Sequence, residues 1–298
     1  MATTAHIITY NIHGLPWCRN YVKEVAAWLL EQRPAVICLQ EVFTARARQE
    51  FQTVLSAAGY TVLVPHDADV CWLPSGLLTA VDTRVYRVVS HCFQAFLDYH
   101  NVEILANKGF FRVHLEQRGE GGGGVGGVGS TSPPRRFHII NTHTQSDTEA
   151  AWIFGRAITK RIRHKQATQI LEAAEHLPDP VIVIGDLNQE TSLHPHLRFL
   201  HPPSELPIRK ATFFKTGEDL DHVAWLPVQW APPGCGFCGI IGPRLDVCRV
   251  HTVPWSDHAP VEVMVNIPPL PHRDGIVPLD NTHSRSTLDR HTMVVGLR

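Results

Sequence analysis

The stretch Val181-Ile182-Val183-Ile184-Gly185-Asp186-Leu187-Asn188 constrains the fold more than any other part of the chain. Four consecutive β-branched residues predict a fully buried strand. The strand ends in a glycine, where the backbone can turn tightly, and then presents Asp186 and Asn188. Period-two alternation predicts that these two side chains lie on the same side of the chain, just past the strand end. A carboxylate and a carboxamide fixed there suit general-base work beside an oxyanion or a metal. The competing reading is an ordinary turn Asp and Asn.

The flanking sequence predicts the layers around that strand. His6–Tyr10 reads as a first strand, and Val22, Val25, Ala26 and Leu29 recur at helical spacing, predicting a helix from about Arg19 to Gln32. Ala35–Leu39 is a second short strand leading into Gln40-Glu41, and Thr44 is placed to N-cap a helix that Gly59 ends. Short strands follow at Tyr60–Val64, Leu77–Val81, Arg84–Phe93, Phe110–Leu115 and Arg136–Asn141. Ser146-Asp147-Thr148-Glu149 has capping-box spacing and predicts the start of a long helix ending near Leu177. Its run from Lys160 to Lys165 reads as a solvated basic face. Later strands are expected at Ala211–Lys215, Leu220–Leu226 and Ala259–Val265. The order predicts two sheets packed face to face with helices outside. One domain is expected over residues 1–267, with a flexible Gly-rich loop at 119–134, an insert at 230–243 and a disordered tail at 268–298.

Composition narrows the function classes. With 298 residues, 44% of them hydrophobic, the chain can bury a large core. A formal net charge of -1 supplies no global attraction to polyanions, which argues against a non-specific DNA coater. The seven cysteines are scattered, no signal peptide is recognisable and no apolar run is long enough to span a bilayer. A soluble intracellular protein is therefore expected rather than a secreted one. Nothing in the sequence points to a protein partner.

Polar residues recur at predicted strand ends: Asn11, Glu41, His143, Asp186 with Asn188, Asp221, and Asp257-His258. In the contexts Thr9-Tyr10-Asn11-Ile12, Gln40-Glu41, Asn141-Thr142-His143, Gly185-Asp186-Leu187-Asn188, Leu220-Asp221-His222-Val223 and Ser256-Asp257-His258-Ala259-Pro260, they resemble, in order, the motifs of the endonuclease/exonuclease/phosphatase superfamily. The resemblance covers roughly residues 5–266. It implies a DNase I-like fold, a four-layer α/β sandwich of two mainly antiparallel sheets with outer helices. It also implies a Mg²⁺-dependent phosphoric ester hydrolase, with Mn²⁺ as a substitute ion.

The resemblance further implies roles. Glu41, with Asn11 and Asp257, stands at the metal positions; His258, oriented by Asp221, is catalytic. Asp186 polarises or deprotonates the attacking water, Asn188 steadies the phosphorane oxygens, and His143 binds the scissile phosphate or assists the leaving group. Either Asp186 or the His258–Asp221 pair is the base. Asn141-Thr142-His143-Thr144-Gln145 and Ala106-Asn107-Lys108-Gly109 are similar to forms found in the sphingomyelinase-like branch, with Lys108 able to reach a phosphate as a point charge, the commoner alternative being a surface lysine before a strand. The substrate is then a phosphodiester, either a phospholipid such as sphingomyelin or a nucleic acid cut by a nuclease on the same site; a non-catalytic binding module is the remaining class. Val70–Pro74 is the one apolar loop that could enter a membrane, unless it is core. Outside the family pattern, Cys235, Cys238, Cys248 and His251 have a spacing compatible with a structural Zn²⁺ site, the alternative being that Cys248 and His251 belong to a strand.

Overall fold

The computed structural model describes residues 3–66, 71–118, 135–147, 156–189, 198–199, 220–226, 228–230, 239–241, 244–267 and 276–277. In chain order the elements are β1 (Thr3–Asn11), α1 (Val22–Gln32), β2 (Val36–Gln40), α2 (Ala45–Ala57), β3 (Tyr60–Leu63), β4 (Leu78–Asp82) and β5 (Tyr86–Ala95). A 3-10 helix (Asn101–Leu105) precedes β6 (Gly109–Gln117), β7 (Arg136–His143), α3 (Arg156–Ala174), β8 (Val181–Asp186) and β9 (Arg198–Phe199). Then come β10 (Asp221–Leu226), β11 (Val228–Trp230), β12 (Gly239–Ile241), β13 (Arg244–Val250), β14 (Val261–Ile267) and β15 (Ile276–Val277).

Two six-stranded sheets carry the fold, in the orders β13-β14-β1-β2-β4-β3 and β5-β6-β7-β8-β10-β9. Both are mainly antiparallel, but each holds one parallel pair at its centre, β1 with β2 and β7 with β8. Each parallel pair is joined through a helix, α1 or α3, because parallel neighbours need a crossover long enough to return the chain to the same end. As a result β1, β2, β7 and β8 all finish on residues of the polar constellation or directly before one. Asn11, Gln40, His143 and Asp186 are their last residues. This is the strand end at which open α/β sheets place their ligands.

Three clusters of buried side chains define four layers. Ile7, Val36, Cys38, Phe137, Ile139, Ile182, Ile184 and Val223 pack between the sheets. Val22, Val25, Leu29, Phe51 and Leu55 seal α1 and α2 onto the outer face of the first sheet, while Ala167, Ile170 and Ala174 seal α3 onto the second. The expected α/β sandwich is the observed one. Between the sheets an amide bridge crosses the apolar core. Gln40 Nε2 donates to Asn141 Oδ1 at 2.7 Å, and Asn141 Nδ2 donates to the Leu39 and Leu78 carbonyls. All the polar atoms of this bridge are buried, so each needs its partner, which fixes the offset of the sheets close to the strand ends.

Local expectations hold with specific departures. Thr44 caps α2 by accepting the Ala47 N–H at 3.1 Å, and Gly59 beyond that helix sits at φ 92°. Helix α1 begins at Val22 rather than Arg19, because Cys18 N–H closes a turn onto Leu15 O and the Arg19 guanidinium lies over the Tyr21 ring. The Ser146 hydroxyl donates to Glu103 and Asp147 next to it accepts from Arg163, while Thr148 and Glu149 of the expected capping box lie outside the described residues; the described helix starts at Arg156. Arg163 is the exception to the solvated basic face, buried with Nη1 2.8 Å from Asp147. Ile276–Val277, within the stretch read as a tail, pair with β11. The Gly-rich loop at 119–134, the strand expected at Ala211–Lys215 and most of residues 268–298 lie outside the described residues.

Candidate active site

The site is built where the parallel pairs of the two sheets end together. Asn11 closes β1, and its Nδ2 donates both to Glu41 Oε1 at 3.0 Å and to Asp186 Oδ2 at 2.9 Å. One carboxamide therefore ties a carboxylate of the first sheet to one of the second. Its Oδ1 accepts the His13 N–H, and its backbone carbonyl accepts from Ser256 Oγ. Glu41 directly follows β2 with φ 59°, a left-handed backbone unusual for a side chain of its size. That strain turns its carboxylate into the site.

Glu41 Oε2 is buried and has no hydrogen-bond partner among the described residues. A buried carboxylate oxygen without a donor suits a hard cation, which prefers oxygen ligands and retains several waters. His13 Nδ1 lies 3.9 Å from Glu41 Oε2 and 3.1 Å from Asp257 Oδ1, which brings Asp257 to the same side. Burial raises the Glu41 carboxyl, the Asn11 bond and the Lys108 charge only partly opposing it. The residues present fit a divalent ion. Asn11 stands beside it with its amide committed to the two carboxylates.

Opposite Glu41, His258 Nδ1 is 2.7 Å from Asp221 Oδ2, and His258 Nε2 is 3.6 Å from Asp186 Oδ2. Burial alone would push this imidazole down. The Asp221 and Asp186 carboxylates overcome that and raise it to about 10, so His258 is cationic at neutral pH. Burial raises the Asp186 carboxyl to about 6, partly offset by His258. The Asp221–Asp186 pairing across β10 and β8 explains why these carboxylates share one imidazole: they are directly opposite in the antiparallel register.

His143 ends β7 opposite Asp186 in the parallel register. Its Nε2 is 3.0 Å from Lys108 Nζ and 3.5 Å from Asp186 Oδ2. Burial, together with the Lys108 and His258 charges, holds His143 well below its ordinary value. A neutral ring accepts from Lys108 through Nε2. Lys108 is itself buried rather than on the surface: Nζ also contacts Glu103 Oε2 at 2.5 Å and donates to Thr144 O at 3.0 Å.

Asn188 departs from the simple alternation expected of it. Its backbone is at φ 49°, its N–H returns to Asp186 Oδ1, and its Nδ2 donates to the Thr144 carbonyl that Lys108 also uses. It therefore joins the Lys108 side of the site by a turn, not by strand periodicity.

The structure thus brings together Asn11, Glu41, Lys108, His143, Asp186, Asn188, Asp221, Asp257 and His258. Two further residues of the site carry no motif: His13, which touches both acidic groups, and Glu103, the buried counterion of Lys108. His13 is signalled only by its position two residues beyond Asn11, and Glu103 has no local signal. Of the Cys/His set, Cys248 lies in β13 and His251 Nε2 is 2.7 Å from Glu262 Oε2, while Cys235 and Cys238 lie outside the described residues.

No curated protein matches the chain by sequence. Solved structures do match its fold. Sphingomyelinase C from Streptomyces griseocarneus aligns at 19% identity and TM-score 0.58, over 88% of this chain and 99% of that one. Beta toxin from Staphylococcus aureus, a double mutant with bound magnesium ions, aligns at 15% identity and TM-score 0.57, over 88% and 99%. D. rerio TDP2 complexed with single-strand DNA product aligns at 12% identity and TM-score 0.60, over 89% and 99%. The Endonuclease/Exonuclease/phosphatase family model matches residues 8–258, from inside β1 to His258 itself. Because that match spans both sheets and the whole acidic and imidazole set at their shared end, the chain belongs to the endonuclease/exonuclease/phosphatase family of phosphoester hydrolases.

Proposed function

We propose that the protein is a Mg²⁺-dependent phosphodiesterase whose substrate is a phospholipid of the sphingomyelin type. The observation that carries the lipid reading is an apolar rim on the Lys108 side of the site. Trp72 is 90% exposed, Leu97 82%, Val102 58% and Ile104 55%. Val102 and Ile104 flank Glu103, the counterion of Lys108. Trp72 precedes Leu73, which bridges to Ala106 and bonds Leu105 O. The apolar loop at Val70–Pro74 is thus not core at Trp72. Several large apolar side chains facing water beside a hydrolytic site fit an interface with lipid better than one with a polyanion.

Each residue has a role on this reading. Glu41, with Asp257 on the same side, holds the ion, and Asn11 fixes Glu41 against Asp186. A bound Mg²⁺ supplies neutralisation of the charge that develops on the phosphoryl oxygens. Asp186, its carboxyl raised by burial and partly lowered again by the His258 charge, takes a proton as water forms its bond to phosphorus and the ester P–O bond breaks. His258, held cationic between Asp221 and Asp186, presents an N–H to a phosphoryl oxygen and has a proton for the departing alkoxide. Cationic His258 favours Asp186 as the base. Lys108, His143 and Asn188 border the phosphate from the second sheet.

The experiment compares turnover of sphingomyelin vesicles, plasmid DNA and bis-p-nitrophenyl phosphate, with Mg²⁺ and with EDTA, for the native chain, Glu41→Gln and Trp72→Ala. The expected result is Mg²⁺-dependent headgroup release that Glu41→Gln abolishes. Trp72→Ala should slow vesicle turnover while sparing the soluble diester. DNA cleavage without lipid turnover would move the protein to the nucleases, and silence of the folded protein on all three would make it a binding module.

A further inference from the structure

A second cluster of metal-ligating side chains lies at the opposite end of the second sheet. His114 on β6 and His138 on β7 are directly paired across the antiparallel ladder. Asp179 stands two residues before β8, next to Pro180, whose carbonyl accepts the His138 N–H at 2.7 Å. Val113, Leu115, Phe137 and Ile139 face the core between the sheets. By alternation both histidines project from the other face, the one covered by α3. His138 and His143 are five residues apart on the same strand, so this cluster is about 16 Å from the hydrolytic site.

Three features distinguish the cluster from incidental surface histidines. First, His138 is only 4% exposed, and neither of its ring nitrogens has a hydrogen-bond partner among the described residues. A buried imidazole with both nitrogens unsatisfied is costly unless something else engages one of them. Second, the His114 and His138 rings stack face to face, at 4.1 Å between centroids and 22° between planes. Third, His114 Nε2 is 3.0 Å from Asp179 Oδ2, and one ligand atom from each of the three residues lies within 4.8 Å of the others.

We propose that His114, His138 and Asp179 form a second metal site, separate from the phosphodiesterase centre, that takes a zinc-class divalent ion. Two imidazoles and one carboxylate are a borderline donor set, suited to Zn²⁺ and its first-row neighbours rather than to Mg²⁺, which the oxygen-rich hydrolytic site suits. With bonds of about 2.0–2.1 Å, tetrahedral ligand atoms stand about 3.3 Å apart, so closure requires about 1.5 Å of side-chain movement. Asp179 and His114 are the more exposed members, with side chains 12% and 14% exposed. Burial, followed by the His114 and Arg112 charges, depresses the His138 imidazole to about 3. Arg112 opposes a cation here, but its Nη1 is directed to the Ala173 carbonyl at 3.5 Å. Bound metal would clasp β6, β7 and the lead-in to β8 at the end away from catalysis.

The test is calorimetric titration of Zn²⁺ into the full chain carrying Glu41→Gln and Cys238→Ser, which disables the hydrolytic carboxylate and the cysteine insert. That background is compared with the same chain also carrying His114→Gln and Asp179→Asn; both added changes are at partly exposed side chains, and circular dichroism checks the fold. The expected result is one fewer Zn²⁺ equivalent per chain after the added changes. Equal stoichiometry and affinity in the two proteins would overturn the site, leaving a plain His114–Asp179 ion pair with a stacked neutral imidazole. A Zn²⁺-edge anomalous map of the native chain gives an independent reading: density is expected among His114, His138 and Asp179, and its absence from Zn²⁺-soaked crystals would also overturn the proposal.

Discussion

Replacing Gly185 by alanine tests how tightly the frame holds the reacting carboxylate. Gly185 has φ 139°, and a Cβ placed there would lie 2.0 Å from the Thr142 carbonyl oxygen, with Thr142 C at 3.1 Å and N at 3.2 Å. The clash is with the backbone of the parallel neighbour strand, so no side chain can rotate out of the way. Reaching van der Waals contact requires about 1.4 Å of separation between β7 and β8. The backbone strain costs about 1–3 kcal/mol, and each weakened ladder bond adds about 0.5–1.5 kcal/mol. With two bonds disturbed, the expected loss is about 2–6 kcal/mol, a large fraction of a typical domain's stability. Gly59 is the control: it too has positive φ, 92°, but nothing lies within 4 Å of the position its added methyl would take, so Gly59→Ala should cost only about 1 kcal/mol. Urea unfolding of the three proteins at equal slope gives the two differences. Because Asp186 follows Gly185 and pairs with His143, the folded fraction of Gly185→Ala should also lose at least tenfold in turnover. A Gly185→Ala protein as stable as Gly59→Ala, with native turnover, would refute the close approach.

Lys108→Met leaves Glu103 buried without its cation and should cost about 3–5 kcal/mol in urea unfolding. Adding Glu103→Gln should recover part of that loss, and a single-variant cost under about 1 kcal/mol would contradict the pairing. Asp221→Asn removes the carboxylate that holds His258 Nδ1 at 2.7 Å and should lower turnover about 10²–10⁴-fold with the fold intact; near-native steady-state rates would remove Asp221 from the mechanism. Burial by itself would raise the Asp82 carboxyl, but the Arg84 fork, with bonds of 2.9 and 2.7 Å, holds it below its ordinary value. A depressed carboxyl contributes stability above the unfolded pKa and loses it as pH falls through the folded one. The urea midpoints of native protein and Asp82→Asn should therefore differ at about pH 6 and converge towards about pH 3, and a gap independent of pH would contradict the ion pair.

The strands that hold the site were legible because burial leaves a local mark. Val181–Ile184 could only be interior, and Thr44 with Gly59 bracketed α2 through capping chemistry that acts within a few residues. The order of polar residues at strand ends carried the family and the membership of the site. What each group does there was not legible, because partners come from distant elements. Asn11 meets Asp186 across 175 positions, and Lys108 reads as a surface lysine until the 3-10 helix folds Glu103 onto it. Asn188 reads as a strand-periodic residue until φ 49° turns it toward Thr144. Trp72 could be core or rim, and His114 and His138 are ordinary strand histidines until the β6–β7 register sets them face to face. Period, capping and buried runs are properties of neighbours in sequence, so the sequence by itself determined the layers and which residues stand at their ends. Charge state, exposure and metal-binding geometry depend on groups brought within a few ångströms by register and sheet packing, and only the tertiary structure decided them.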